Sequence, residues 1–317
     1  MWSYITRRLV YNVPVYLGIV FLLMAALRVN DPVWGYLGKN ATQETYEMKR
    51  AEMGLDEPFV VQYVTFLGKL ARFDFSEGSW AHEGDTVGAI ISRAIVPSLS
   101  ITVPALVLTT LVSILIALVS AFYRGRIPDK LMMMGAVLGM SISFLVYIIF
   151  GQYWGAYVLN ENIDGQLFAI QGYQPGPENW MRYCLLPVLI STVVAMGYDT
   201  RFYRSVMVEE SSQDYITTAR AKGATKRKIM LVHMLKNALI PIITRIMITL
   251  PFLVMGSLLL EVYFNIPGMG RALYASITVF DFPVTQTLVA LFAGLFLLTV
   301  ILTDVLYALV DPRVRLS

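Results

Sequence analysis

The stretch DYITTARAKGATKRKIMLVHMLKNALIP, residues 214–241, is polar and regularly patterned in a chain that is otherwise mostly apolar. Tyr215, Ile216 and Ala219 recur at the spacing that places side chains on one face of a helix. Gly223 follows where such a helix can end in a left-handed turn, because glycine has no Cβ to resist a positive φ. The sequence therefore predicts a short amphipathic helix, a glycine corner and a second helix.

Both predicted helices begin beside capping residues, but only the first has charges that suit its dipole. Ser211, Ser212 and Asp214 offer N-cap oxygens, and acidic residues favour the positive end of a helix dipole. Thr225 can cap the second helix, whose first turn carries basic residues at 226–228, the wrong sign for its dipole. Local helix stability does not explain these cations, whereas anionic lipid head groups or an acidic partner surface would.

The composition of the chain is that of a membrane protein. Its 317 residues are 56% hydrophobic and 15% charged, whereas a soluble domain is about 45–50% apolar and about 25% charged. A helix of about 20 apolar residues crosses a hydrocarbon core of about 30 Å. We therefore predict an all-α polytopic membrane protein, a single transmembrane domain over 1–317 with six transmembrane helices. The six predicted spans are 9–29, 97–122, 131–159, 184–206, 238–262 and 284–310.

The distribution of basic residues predicts the orientation of these spans. Termini, loops and span ends on one side hold fifteen Lys or Arg against six Asp or Glu, and the other side holds nine against fifteen. Basic loops stay preferentially in the cytoplasm, so we expect both termini and the loop 207–237 to be cytoplasmic and the segment 30–96 to be outer. We expect the first span to stay uncleaved, because its apolar run exceeds a signal core. The net charge of +3 gives no case for nucleic-acid binding.

The sequence of the segment 30–96 indicates two helical stretches, with a break at Gly54 and Pro58 between them. The second is amphipathic, and either packs on its own bundle or lies on the membrane or the outer mouth of the protein. Its apolar positions are Phe59, Tyr63, Phe66, Leu67 and Leu70. Residues 160–182, rich in Asn, Gly and Pro, predict an outer loop, and Pro-Gly-x-Gly at 267–270 predicts a tight turn.

The chain contains no motif for catalysis or metal binding. ATP hydrolysis by the chain itself would need G-x-x-x-x-G-K-[ST], and a zinc peptidase would need a motif such as H-E-x-x-H; neither occurs. The only histidines, His82 and His233, have no nucleophile motif nearby. Cys184 is the only cysteine, so an intrachain disulfide is impossible. We expect no catalytic residue and no metal site.

Two charges lie inside the predicted spans, Arg245 in the fifth and Asp304 in the sixth. At a rise of about 1.5 Å per residue, both lie on the order of 10 Å from the cytoplasmic ends of their helices. Ionisable residues in spans usually face the bundle or a wet cavity and find partners. We predict that they pair or share a polar network near the inner mouth, with Asp199 and Arg201 as alternative partners. The alternative is that Arg245 extends alone to the interface.

The opening stretch resembles the cytoplasmic signature loop of ABC-importer permeases, specifically of the dipeptide/oligopeptide permease family. The resemblance rests on its Tyr-x-x-Thr-Ala-Arg-Ala-Lys-Gly run, the later His, and Asn-Ala-Leu-Ile-Pro. It extends to ITRRLVYNVPVYLGI, MGLDEPFVVQYVTFL, FNIPGMGRAL, DFPVTQ and LYALVDPRVR, and so covers nearly the whole chain.

The chain departs from the general importer pattern at several places. Thr217, Thr218 and Ala219 stand where that pattern has Glu-Ala-Ala, and Lys236 replaces its proline, which suits the peptide-permease subgroup. SISFLVY at 141–147 stands where the family commonly has a Ser-Ile-Pro-Ser-Phe-Trp-type run, and the loop 160–182 is longer than usual. The last two departures, SISFLVY and the loop 160–182, bear on the substrate rather than on the mechanism.

The resemblance implies a type I ABC importer permease fold in a bacterial or archaeal plasma (inner) membrane. It implies half of a heterodimeric pore, with a second homologous permease, an extracytoplasmic substrate-binding protein, and cytoplasmic ABC ATPase subunits that hold ATP and Mg; this chain would bind no cofactor. The helix at 214–223 would be the coupling helix, giving apolar contact to an ATPase through Tyr215, Ile216 and Ala219. The implied coupling residues are Asp214, Tyr215, Ile216, Ala219, Arg220, Lys222 and Gly223.

The sequence leaves alternatives for the outer turn, the substrate and the overall function. Pro267, Gly268, Gly270 and Arg271 would contact the binding protein or shape the outer gate, or form only a structural turn. The charges within the spans would form part of an inner gate. The substrate would be a peptide, an oligosaccharide or a nickel complex. The alternative function is a stand-alone secondary carrier or channel without ATPase partners, and an intramembrane enzyme ranks third.

Overall fold

The computed structural model describes residues 2–29, 31–37, 42–163 and 165–310, with side chains over the same ranges except 2–6, 8–9 and 304–310. In these ranges the regular elements are helices, and the remaining pairing is one isolated β-bridge between Gly78 and Thr86. The elements up to residue 126 are α1 (Trp2–Leu27), α2 (Val33–Tyr36), α3 (Gln43–Glu52), α4 (Phe59–Ala71) and α5 (Val87–Phe122). Those that follow up to residue 210 are α6 (Ile127–Ser141), α7 (Phe144–Phe150), a first π-helix (Gly151–Val158), α8 (Leu159–Ile163), α9 (Pro177–Tyr183) and α10 (Leu185–Glu210). The last are α11 (Asp214–Ala221), α12 (Lys226–Lys228), a second π-helix (Ile229–Met234), α13 (Leu235–Met255), α14 (Leu258–Tyr263), α15 (Met269–Thr278) and α16 (Phe282–Val310).

Four helical stretches are long and apolar enough to cross a membrane, and two bent helix pairs bring the number of candidate spans to as many as six. The four are Val10–Leu27 within α1, Val87–Phe122, Lys226–Tyr263 and Phe282–Thr303 within α16. The protein is therefore an all-α, multi-pass membrane protein. Helices continue past several predicted span ends: α5 begins within the segment predicted to be outer, and the helix of the fifth span begins at Lys226.

The third predicted span, 131–159, is wrong as a single helix. The chain breaks after α6, and the axis of α6 differs by 91° from that of the following helical stretch, Phe144–Ile163. Ile142 and Ser143 are extended, with ψ of 135° and 140°, although no proline interrupts this run. The Tyr147 hydroxyl satisfies one carbonyl freed at the break, since Tyr147 Oη donates to Gly139 O at 2.9 Å. Ser141 Oγ donates back to Val137 O, one turn earlier in α6, at 2.7 Å.

The predicted outer loop 160–182 is also wrong in part, because both of its ends are helical. α9 begins at Pro177, whose fixed φ and missing N–H suit the first helical position. Gly176 precedes it with φ of +112°, a conformation that favours glycine. α9 and α10 form a pair bent by 54°, so the fourth span has a helical approach rather than a loop.

The chain divides into two compact units, and the first consists of Met1–Ser98 with Pro267–Ser317. Here α1 packs along α16, and Tyr16 Oη donates to Ala290 O at 3.1 Å. α3 and α4 confirm the two predicted helical stretches, and Gly54 between them has φ of +66°. Phe66 of α4 is buried with Val20 and Met24, which confirms packing of that face on the bundle.

The second unit, Leu99–Ile266, contains two apolar clusters. One includes Ile148, Leu186 and Phe264, and the other surrounds α11. α6 and α10 lie side by side, and Gly197 of α10 lies so close that a Cβ there would be 2.7 Å from the carbonyl oxygen of Ala136. This close approach is the small-residue packing by which membrane helices associate.

Candidate functional site

α11 begins and ends within the 214–223 segment predicted for it, but its capping differs from the expectation. Gln213 is the extended N-cap residue, and it makes no side-chain cap hydrogen bond. Ser211 and Ser212 instead donate to the carbonyl oxygens of Val208 and Glu209 at the end of α10, at 2.6 and 2.7 Å. The N-cap role expected of these serines is therefore wrong, because their hydroxyls already satisfy the terminal carbonyls of the preceding helix.

The glycine corner after α11 is confirmed. Gly223 has φ of +79°, and its N–H donates to Arg220 O at 3.0 Å. Thr225 then caps α12, because its side-chain oxygen accepts from the backbone N–H of Lys228 at 3.3 Å. Gly223 has open space around it, so the positive φ rather than crowding requires glycine here.

The apolar face of α11 is turned into the chain itself. Ile216 and Ala219 are only 2% and 9% exposed. Tyr215 is half-buried and its hydroxyl donates to the Glu210 carboxylate; burial first, and then this hydrogen bond, raises the pKa of the phenol above its ordinary value. The partner contact expected of Ile216 and Ala219 does not fit this burial, and the prediction for these two residues is corrected.

The cluster beneath α11, which we call the α11 seat, is built from the ends of three other helical stretches. Each of these three stretches contributes apolar side chains to the same packed cluster as Ile216 and Ala219. The seat consists of Ala117 and Leu118 of α5, Tyr203 and Met207 of α10, and Ile229, Met230, Met234, Ala238 and Ile242 of the stretch from the second π-helix into α13.

The outward face of α11 is polar. Thr217, Thr218, Arg220 and Lys222 are exposed, as is Asp214 at the start of the helix. This face carries the hydroxyl and cationic groups of the segment, whereas its apolar side chains lie in the α11 seat.

One of the three cations at 226–228 has a structural explanation. Lys226 Nζ donates to the carbonyl oxygen of Phe122, the last residue of α5, at 2.8 Å, and lies 4.1 Å from the centroid of that ring. A cation at a helix C-terminus is favourable because orphan carbonyls carry partial negative charge there. Lys226 therefore stabilises the end of α5, while Arg227 and Lys228 remain exposed.

A buried ion pair lies near the same helix ends, joining Arg204 of α10 to Asp129 of α6. Arg204 Nε and Nη2 donate to the two oxygens of Asp129, each at 2.7 Å, in the bidentate geometry that guanidinium and carboxylate favour. Asp129, only 3% exposed, also accepts from Ser120 Oγ and from the backbone N–H of Gly125. The pair thus connects the α5–α6 turn to α10.

The second ion pair lies within the apolar helices. Arg245 Nε of α13 donates to Asp199 Oδ1 of α10 at 3.3 Å, with side chains 40% and 13% exposed. Asp199 is thus the partner of Arg245, as the alternative prediction had it, whereas the side chain of Asp304 lies outside the described residues. Arg201 is exposed and donates to Met140 Sδ at 3.5 Å; among the described residues it belongs to no ion pair.

The predicted turn at 267–270 is the start of a helix. Gly268 is the extended N-cap residue of α15, and Met269 N donates to Ser98 Oγ at 2.7 Å. Gly268 and Gly270 are buried, so the surface contact expected of these glycines is corrected, while Pro267 is exposed and Arg271 half-buried. Pro267, Gly268 and Arg271 line a cavity of about 350 Å³ within the first unit.

Comparison with known protein families identifies the chain. The family model described as the inner membrane component of binding-protein-dependent transport systems matches residues 113–316, which include α11 and both ion pairs. The chain belongs to this permease family. The model for the N-terminal part of such membrane components matches residues 1–79. The protein is therefore an ABC-importer permease with the type I importer fold.

Curated relatives match the permease along its whole length. A probable peptide ABC transporter permease protein of Sinorhizobium fredii is 33% identical over 322 residues, covering 99% of this chain and 100% of the relative. The glutathione transport system permease protein of Salmonella typhimurium is 32% identical, with 99% of both chains covered. A putative peptide transport system permease protein of Brucella abortus is 33% identical, again with 99% of both chains covered.

Sequence reasoning misses the Arg204–Asp129 pair in the permease. The sequence presents Arg204 only as a basic residue at a span end, and Asp129 only as an acid in a short loop. The signal that points to part of this arrangement is Pro128 directly before Asp129, because a proline of this kind marks the first turn of a helix. An acid in that turn can accept from a backbone N–H of the preceding turn, as Asp129 does from Gly125.

Proposed function

We propose that this permease forms half of a translocation pore and receives the energy of ATP hydrolysis from a cytoplasmic ABC ATPase through α11. The observation that carries the proposal is the α11 seat, which packs one short helix against the ends of three helical stretches. A displacement of α11 would repack all three together, because tightly packed interiors transmit strain.

The proposed ATPase contact is the outward face of α11. Thr217, Thr218 and Arg220 are exposed there, and Lys222 continues the face to the corner at Gly223. Ile216 and Ala219 act from the opposite side as anchors in the α11 seat. Two states of the pore, inward-facing and outward-facing, would then be biased by ATP on the partner and by the loaded binding protein.

The proposed orientation places both termini and α11 in the cytoplasm of a bacterial or archaeal cell, with the permease in the inner membrane. The support is the excess of basic residues on the α11 side of the predicted topology, fifteen against six acidic. The proposed partners are a second homologous permease, ATPase subunits and an extracytoplasmic binding protein. ATP and Mg would be held by the ATPase subunits, with no cofactor on this chain.

Peptides are the proposed cargo. The names of the relatives from Sinorhizobium fredii and Brucella abortus refer to peptides, and the name of the relative from Salmonella typhimurium refers to glutathione, a modified tripeptide. This permease is 32–33% identical to each of these relatives over nearly its full length. We therefore propose that it carries solutes of the same chemical class, namely short peptides with free charged ends.

Cross-linking tests the ATPase contact. Thr217→Cys places a thiol on the outward face of α11, and the single native cysteine, Cys184, is 1% exposed and so will react slowly. In the assembled complex we expect a short bifunctional reagent to join Thr217→Cys to the ATPase subunit. The matched control is Gln43→Cys, exposed on α3 in the segment predicted to be outer, which should give no such product.

Uptake tests the function itself. Proteoliposomes holding both permeases and the ATPase subunits should accumulate peptide only with ATP inside and binding protein outside. Uptake that persists when the ATPase subunits are omitted would contradict the proposal and establish the secondary carrier instead. Cross-linking of Gln43→Cys in place of Thr217→Cys would contradict the assigned contact and orientation.

A further inference from the structure

The Asp199–Arg245 pair is held by fewer contacts than the other ion pair on α10. Arg204 makes two hydrogen bonds of 2.7 Å to Asp129, which accepts two more from other groups. Arg245 and Asp199 share one hydrogen bond of 3.3 Å, and within the described residues neither side chain makes another. The carboxylate of Asp129 thus accepts four hydrogen bonds, whereas the carboxylate of Asp199 accepts one from the described residues.

Hydrogen-bond donors and acceptors without partners cost free energy when they lie among apolar helices. An ion pair removed from water is compensated only when further hydrogen bonds satisfy its remaining donors and acceptors. A guanidinium has five N–H donors, and Arg245 uses one of them while its side chain is 40% exposed. The hydroxyl of Thr200, adjacent to Asp199, is also buried without a hydrogen-bond partner in the described part of the chain. Charged groups within the spans of a membrane protein, here with unused hydrogen-bond donors and acceptors, mark the path of a polar solute.

We propose that the Asp199–Arg245 pair binds the two charged ends of a dipeptide during transport, because its two members lie in direct contact and the ends of a longer extended peptide lie too far apart. The peptide carboxylate would take free donors of Arg245, in the two-pronged geometry that guanidinium and carboxylate adopt. The peptide ammonium would take Asp199 Oδ2, which accepts no hydrogen bond from the described residues. A zwitterion can enter such a pair without leaving an unpaired charge, because it supplies one opposite charge to each member.

This inference rests on the proposed function, since it assumes that the cargo is a peptide. The neighbouring Arg201 provides a matched control. It also lies on α10 and is exposed, but among the described residues no carboxylate lies beside it, and its contact is the Met140 sulfur. It cannot offer complementary charges to both ends of a zwitterion.

The test compares peptides with free and blocked ends in the complete transporter. Proteoliposomes with internal ATP and external binding protein are given a mixture of random dipeptides, or the same mixture amidated at its carboxyl ends. The ratio of variant to wild-type uptake cancels the selectivity of the binding protein, which is the same in both. Arg245→Gln should lower uptake of the free acids by about tenfold or more, the loss expected for a charge-assisted hydrogen bond, and leave the amides near wild type.

A second measurement is needed in case the binding protein does not deliver amidated peptides to the permease. The thermal stability of the purified complex is measured without binding protein, with each mixture added. Free acids should stabilise the wild type more than amides do, and Arg245→Gln should abolish the difference. A third mixture, acetylated at its amino ends, tests Asp199. Free peptides should stabilise the wild type more than N-acetylated peptides do, and Asp199→Asn should abolish this difference. Arg201→Gln should leave both preferences intact.

Equal losses for free and amidated peptides in Arg245→Gln would overturn the inference, because a purely structural pair affects both alike. Unchanged transport and stabilisation in that variant would overturn it as well. If the wild-type complex accumulates no peptide with ATP, the proposed cargo is wrong and this inference falls with it. These results are distinguishable, because only the last removes transport from the wild type.

Discussion

Replacing Gly197 with alanine tests the close crossing of α6 and α10. The added Cβ would lie 2.7 Å from the carbonyl oxygen of Ala136 and 3.4 Å from Cβ of Met140. The first contact is with backbone, so the helices themselves must move apart. Overpacking of this kind costs about 1–3 kcal/mol, while exchange of glycine for alanine within a helix gains about 1 kcal/mol. The net expectation is a loss of up to about 2 kcal/mol in the free energy of unfolding.

The matched control is Gly135→Ala in α6, the other helix of this crossing. Gly135 is exposed, and a Cβ there would meet nothing within 4 Å. This variant gains helix propensity without a clash, so it should be more stable than wild type by up to about 1 kcal/mol.

Unfolding of the purified permease in bicelles, followed by the fluorescence of its five tryptophans, measures both variants. The expected order of stability is Gly135→Ala, wild type, Gly197→Ala. If Gly197→Ala were as stable as Gly135→Ala, the crossing of α6 and α10 would be looser than described, and the reasoning from the 2.7 Å contact would be refuted.

Two further predictions concern the ion pairs. Arg204→Ala leaves the buried carboxylate of Asp129 without its bidentate partner, and should lower the free energy of unfolding by about 3 kcal/mol in the same assay; a loss near zero would show that the pair contributes no net stability. A double-mutant cycle of Arg245→Ala and Asp199→Ala should give a smaller coupling energy of about 0.5–1 kcal/mol, because the single 3.3 Å contact is partly exposed. A coupling energy of zero in both stability and transport would mean that these two side chains do not interact.

The parts of the fold that local sequence determines were predictable. The corner at Gly223 and the cap at Thr225 depend on the backbone freedom of glycine and on a side-chain oxygen next to a helix start, and both are visible in the sequence. The break at Gly54 between α3 and α4 is of the same kind. The apolar stretches that give four candidate spans, or as many as six with the two bent pairs, also followed from hydropathy, since long apolar runs need no knowledge of their neighbours.

The parts that depend on packing were not predictable. The apolar stripe of α11 indicates that Ile216 and Ala219 are buried, but not whether a partner or the chain itself covers them; the α11 seat covers them. The break at Ile142 and Ser143 contains no proline, and the freed carbonyl of Gly139 is satisfied by the Tyr147 hydroxyl, which a hydropathy profile does not register. The Arg204–Asp129 pair joins residues 75 positions apart, and a single sequence gives no sign of such a contact.

The most direct test of coupling through α11 compares two glycines with similar positive φ angles. Gly223 follows α11 with φ of +79°, and Gly54 lies between α3 and α4 with φ of +66°; neither has an atom within 4 Å of an added Cβ. Valine at either position carries a similar backbone strain of about 1–3 kcal/mol, but only Gly223 adjoins the proposed ATPase contact.

The measurement is ATP hydrolysis by the reconstituted complex, with and without loaded binding protein. We predict that Gly223→Val keeps basal hydrolysis and loses stimulation by the binding protein, whereas Gly54→Val keeps both. Stimulated hydrolysis in Gly223→Val equal to that in Gly54→Val would contradict the claim that α11 couples the ATPase to the pore.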